Sequence, residues 1–189
     1  MILLYNISLL FLRLGFRIAA LVHPKAKAFV GGRHNIIQRM QQSFRTHQGQ
    51  LAWFHCASLG EFEQGRPVIE AMKNEFPHLK ILLTFFSPSG FEVRKNYAQA
   101  DFVFYLPWDT ASNAKHVIAA ANPTVAIFVK YEFWYHYSKE LNRRNIPLIS
   151  ISSIFREQQL FFKSYGGFYR HILKCFNYFF VQNIKSEEL

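Results

Sequence analysis

Six short, almost wholly apolar runs recur between residues 51 and 183, separated by stretches of helical periodicity: LAWFHCAS (51–58), ILLTFFS (81–87), FVFYLP (102–107), TVAIFVK (124–130), PLISISS (147–153) and YFFVQN (178–183). A strand with one wet face alternates apolar and polar residues; these runs do not alternate, so both their faces are expected to be covered. Strands of that kind with helices between them form a parallel sheet with helices on both faces, an α/β fold. Phe62, Ile69, Met72 and Phe76 recur at helical spacing after the first run, and Phe133, Trp134, Tyr137 and Leu141 after the fourth, giving stripes that should face the core. Gly31 and Gly32 punctuate the chain, dividing an opening segment (1–30) from the sheet-forming body (31–189). With half of its 189 residues hydrophobic, the chain can bury one substantial core.

In open parallel sheets ligands bind beyond the carboxyl ends of the strands, so the turns after the runs are where chemistry is expected. None carries the glycine pattern of a dinucleotide or P-loop site, and no nucleotide is expected to bind this half. The first turn reads Ser58-Leu59-Gly60-Glu61. As S-x-x-E at a helix start it is a capping box, each side chain satisfying a backbone N–H. The same Glu61, at a strand end beside Gly60, is placed to act as general base toward an alcohol, and the helix N-terminus favours its ionised form. Both readings fit the spacing. Ser87-Pro88-Ser89-Gly90 likewise admits N-capping by Ser87 or the holding of a phosphate or sugar by hydroxyls and free N–H groups. Glu132 is either a ligand for a hydroxyl or a cap for the helix that follows, and Lys130 either meets a phosphate or is solvated. His55, inside an apolar run, reads first as a satisfied core histidine, and Phe155, Phe161 and Phe162 as packing. No carboxylate pair of the DxD kind occurs, and Cys56 and Cys175 have neither metal-ligand nor disulfide spacing, so no metal is expected.

Charge is placed unevenly. Residues 1–60 hold seven basic side chains (Arg13, Arg17, Lys25, Lys27, Arg33, Arg39, Arg45) and no acidic one, in a chain of net charge +10. Such a segment suits a nucleic acid, an anionic lipid surface or a phosphorylated substrate. The opening run MILLYNISLLFL stops at Arg13, short of the roughly 20 residues of a spanning helix. Read as a helix, residues 1–30 put Arg13 and Arg17 on one face and Leu10, Phe11, Leu14, Ile18 and Leu21 on the other, the pattern of a basic amphipathic helix in the headgroup region. A helix packed on its own domain is the second reading, and a spanning or cleaved segment the third. With no recognition helix or RNP-like strand, no nucleic-acid partner is expected.

Taken together, WFHCASLGEFEQGRPVIEAM, LLTFFSPSGFE, VFYLPWDT, AIFVKYEFWYHY, RRNIPLISISS and FFVQNIKSEEL resemble, in order and spacing, the blocks of the 3-deoxy-D-manno-octulosonic acid (Kdo) transferases, over nearly the whole chain. The resemblance implies the Rossmann-like, N-terminal acceptor domain of a GT-B glycosyltransferase, with the sugar-nucleotide domain outside this chain and the half inactive alone. It implies inverting, metal-independent transfer of Kdo from CMP-Kdo to a lipid A precursor (lipid IVA) in lipopolysaccharide synthesis, without a cofactor, at the cytoplasmic face of the bacterial inner membrane. Glu61 then takes the general-base role, and Ser58, Gly60, Ser87, Ser89, Gly90, Lys130 and Glu132 the acceptor-binding roles. The implied partners are the lipid A precursor, CMP-Kdo through the other domain, and the anionic membrane surface. A non-enzymatic peripheral membrane-binding domain is the alternative. The chain departs from the family pattern at Lys130, where many members carry Glu, and at Ser152-Ser153-Ile154, where Asn-Ala-Arg is frequent.

Overall fold

The computed structural model describes residues 1–189. Three helices open the chain: α1 (Ile2–Ala19), α2 (Pro24–Gly31) and α3 (Ile36–Phe44). Strands and helices then alternate as β1 (Leu51–Cys56), α4 (Leu59–Glu75), β2 (Lys80–Phe85), α5 (Pro88–Arg94), β3 (Phe102–Tyr105), α6 (Ala111–Ala121), β4 (Val125–Val129), α7 (Tyr135–Arg143) and β5 (Leu148–Ser153). A short 3-10 turn (Leu160–Phe162), α8 (Gly167–Leu173), β6 (Tyr178–Val181) and α9 (Ile184–Glu187) complete it. All six strands are parallel, in the order β3-β2-β1-β4-β5-β6. In the register, Phe54 of β1 lies between Leu83 of β2 and Ile127 of β4.

The six apolar runs are the six strands; all but β5, which reaches the last residue of its run, end a residue or two before the run does, where the chain turns into the loops. β1 is buried at every position, as a central strand covered on both faces must be. One core layer gathers Trp53, Phe128, Tyr137 and Leu148 with α3, α6 and α7; the other gathers Phe54, Phe85, Ile127 and Val129 with Phe62 and Ile69 of α4. Three residues expected on helical core stripes sit differently. Phe76 caps the end of α4 and is 55% exposed, since the helix stops before its stripe makes another turn against the sheet. Phe133 and Trp134 precede α7 and pack from the connecting turn.

Helix α1 runs unbroken through Arg13, which therefore does not bound it; its 18 residues span about 27 Å. By length and composition it is long and apolar enough to cross a bilayer, and none of its residues is fully buried. One side still docks on the body. Phe16 stacks on Phe29 of α2 at 4.1 Å, Asn6 Oδ1 lies 2.7 Å from His136 Nε2, and the Tyr5 hydroxyl donates to the buried Asp109. Asp109 also accepts the N–H groups of His136 and Tyr137, at 3.0 and 2.9 Å, so one carboxylate joins α1 to the start of α7.

Candidate functional site: two carboxylates at the switch point

β1 has β2 on one side and β4 on the other, so the connections leaving β1 and β4 diverge to opposite sides and open a crevice at their carboxyl ends. Glu61 stands in the first turn of α4 and Glu132 in the turn after β4, at the carboxyl ends of these two strands and near enough for their carboxylates to act on one another. Burial raises the pKa of Glu61, the Glu132 carboxylate raises it further, and the N–H groups of Ala57 and Ser58 together with His55 oppose the rise. The capping bond is also present: the Ser58 N–H donates to Glu61 Oε2 at 3.1 Å. Cap and cleft carboxylate are thus one residue, with a single oxygen committed to the helix start. Cys56 is fully buried beside the same two carboxylates, and burial pushes its thiol pKa up, which leaves it without nucleophilic character.

Glu132 is not the cap of α7, whose first amides are taken by Asp109. Its Oε2 instead accepts the Trp134 indole N–H at 2.7 Å and lies 3.1 Å from His55 Nε2. His55 Nδ1 in turn lies 3.0 Å from the Thr84 hydroxyl, which accepts the Trp53 indole N–H at 2.8 Å. His55 is thus a satisfied core histidine, as expected, but one of its partners is the cleft carboxylate. The sequence held no sign of this link: 77 positions separate His55 from Glu132, and only the pairing of β1 with β4 joins them.

The remaining candidates distribute around this centre. Lys130 has φ 64°, its N–H donates to Ile151 O at 2.8 Å, and its carbonyl accepts the hydroxyls of Ser153 and Ser150 at 2.9 and 3.2 Å. Ser152, on the neighbouring strand, has φ 58°. Left-handed non-glycine residues each cost about 1–3 kcal/mol and gather where a fold fixes a functional surface. Ser153, a departure from the family pattern, thus holds Lys130, the other departure. Ser87 Oγ accepts the Ser89 N–H at 3.3 Å and lies 3.0 Å from Ser89 Oγ, so the N-capping geometry is present. Gly90 lies under Phe85, where a Cβ would stand 2.2 Å from the ring; at Gly60 a Cβ would meet open space. Phe155, Phe161 and Phe162 pack edge-on against one another, as expected of packing residues. No three His, Cys, Asp or Glu side chains converge on a point that could hold a metal ion.

Fold and site together define an α/β, Rossmann-like domain with two neighbouring carboxylates at the carboxyl ends of its central strands. The solved structure of a putative UDP-N-acetylglucosamine 2-epimerase from Listeria monocytogenes shares the fold, with a TM-score of 0.54 at 12% identity over 75% of this chain and 41% of that one. The family model described as 3-deoxy-D-manno-octulosonic-acid transferase (kdotransferase) matches residues 34–189, and the chain belongs to that family. It is 32% identical over 101 residues to the 3-deoxy-D-manno-octulosonic acid transferase of Haemophilus influenzae, covering 53% of this chain and 24% of the relative. The corresponding figures are 30% over 106 residues (55% and 25%) for Chlamydia trachomatis and 35% over 95 residues (50% and 26%) for Aquifex aeolicus. The matched part of the chain thus spans about a quarter of the length of these relatives.

Proposed function

We propose that this chain is the acceptor half of an inverting, metal-independent transferase that moves Kdo from CMP-Kdo to a lipid A precursor, lipid IVA, with Glu61 as general base. The observation that carries the reading is the placement of Glu61 and Glu132 on either side of the switch point, with the pKa of Glu61 raised by burial and by its carboxylate neighbour. A base whose pKa is shifted toward the working pH takes a proton from an alcohol more effectively than an ordinary surface carboxylate. The sugar hydroxyl of the acceptor attacks the anomeric carbon of Kdo, and the bond from that carbon to the CMP phosphate oxygen breaks. The hydroxyl proton passes to Glu61 and CMP leaves as its anion. Glu132, held through Oε2 by Trp134 and His55, has Oε1 free to orient a hydroxyl, and Ser58, Gly60, Ser87, Ser89, Gly90 and Lys130 complete the acceptor surface. A second domain holds CMP-Kdo, so residues 1–189 alone transfer no sugar. No cofactor takes part. Residues 1–30 attach the protein to the cytoplasmic face of the inner membrane through the outward side of α1, where Leu10, Phe11, Leu14 and Ile18 are exposed.

Glu61→Gln, made in the protein that carries the donor domain, should lower the transfer rate by about 10²–10⁴-fold while CMP-Kdo still binds. Turnover near that of the unsubstituted protein would reduce Glu61 to a helix cap.

A further inference from the structure

We propose that the pocket enclosed by α1, the α2–α3 segment and the first turn of α6 binds a phosphate group. The cavity measures about 710 Å³ and is lined by Arg13 and Arg17 from α1, His34 and Gln38 from the α2–α3 segment, and Ser112 and Asn113 from α6. No Asp or Glu lines it, and none precedes Glu61 in the chain. Arg39, Arg45, Arg156 and Arg170 lack a carboxylate partner as Arg13 and Arg17 do, but none of those four lines this pocket. Arg66, Arg94, Arg143 and Arg144 each sit on Glu63 or Glu140, and Arg33 spends its guanidinium on the carbonyls of Phe29, Phe86 and Leu106. Arg13 and Arg17 enter no ion pair within the chain, so their planar donor forks remain available, and a phosphate is the anion those forks fit in pairs.

The volume exceeds that of a bare phosphate and suits one carried on a sugar or a lipid headgroup. Position supports this, because Arg13 and Arg17 flank the exposed apolar stripe of α1. On its inner side the pocket reaches Trp108, which contacts Phe86 at 5.7 Å, and Phe86 contacts Trp134 at 4.9 Å beside Glu132. One ridge of rings thus leads from the phosphate pocket to the crevice. The proposal concerns binding without turnover, so its failure would leave the role of Glu61 untouched.

Calorimetry of residues 1–189 with inorganic phosphate, and co-sedimentation with phosphatidylcholine vesicles containing or lacking phosphatidic acid, test it. Inorganic phosphate should bind the unsubstituted chain, and Arg13→Gln/Arg17→Gln should weaken this at least about tenfold, the loss expected of one charge-assisted contact or more. Lys25→Gln/Lys27→Gln removes the same charge outside the pocket and should change phosphate binding less than about twofold. Ser112→Asp, which favours the start of α6 yet places an anion in the pocket, should abolish phosphate binding without loss of thermal stability. If the arginine substitutions also release the chain from phosphatidic acid vesicles, the phosphate is lipid-borne; if only phosphate binding falls, it is soluble. Absence of phosphate binding by the unsubstituted chain, or an equal loss in the lysine control, overturns the pocket.

Discussion

At the residue scale, Glu61 is both the capping partner of Ser58 and a carboxylate beside Glu132, two placements that sequence spacing presented as rivals. The S-x-x-E pattern correctly announced a capping bond, and the bond forms, yet one carboxylate oxygen suffices for it. What the spacing could not show was Glu132, 71 positions further on, whose negative charge acts on the same carboxyl. The two glycines of the candidate site part company in the same way. Gly60 faces open space, whereas Gly90 is where the α5 backbone presses on the Phe85 ring. Gly90→Ala should therefore cost about 1–3 kcal/mol through overpacking, read as a lowered midpoint of denaturation. Gly60→Ala should leave that midpoint within about 1 kcal/mol, near the ordinary helix preference of alanine, and impair only acceptor use, read as a raised KM. Equal destabilisation by both would contradict the placement of Gly60 on the ligand side.

At the scale of elements, the strands were legible and the docking of α1 was not. Six continuous apolar runs announce buried parallel strands because covering both faces of a strand leaves no polar position in its interior. Helix α1 announces only its periodicity: Leu10, Phe11, Leu14 and Ile18 do face outward together, but its attachments are single residues. Tyr5 on Asp109, Asn6 on His136 and Phe16 on Phe29 pair positions 13 to 130 apart in sequence. Asp109 is the pivotal partner, since burial raises its pKa and its oxygens are held by Tyr5, His136 and Tyr137. Tyr5→Phe removes one donor from a buried carboxylate and should destabilise the chain by about 1–3 kcal/mol, measurable by denaturant melts. A neutral result would mean that α1 lies free of the body.

At the scale of the whole molecule, the fold presents the carboxyl ends of β1 and β4 and the outward stripe of α1, and Asp109 ties α1 to the start of α7. The fold class was legible because layer architecture follows from alternation of elements. The crevice was legible only as a set of turns, because which turns meet depends on strand order, and strand order is a property of the sheet rather than of any run. Replacing Leu10, Phe11 and Leu14 together by Gln should release the chain from anionic vesicles even at low salt without lowering its melting temperature, since all three are exposed. Retained binding would place the membrane contact on another face.

Whether Glu61 takes the proton is read most directly from the pH dependence of kcat/KM for the protein with its donor domain. A carboxyl whose pKa is raised keeps its proton to higher pH, so activity should fall on the acid side through a midpoint above the ordinary carboxylate value of about 4.3. Glu132→Gln removes the neighbouring negative charge and should move that midpoint to lower pH, whatever it does to the maximal rate. An acid limb that lies in the ordinary carboxylate range and is unmoved by Glu132→Gln would contradict the assignment of Glu61 as the base.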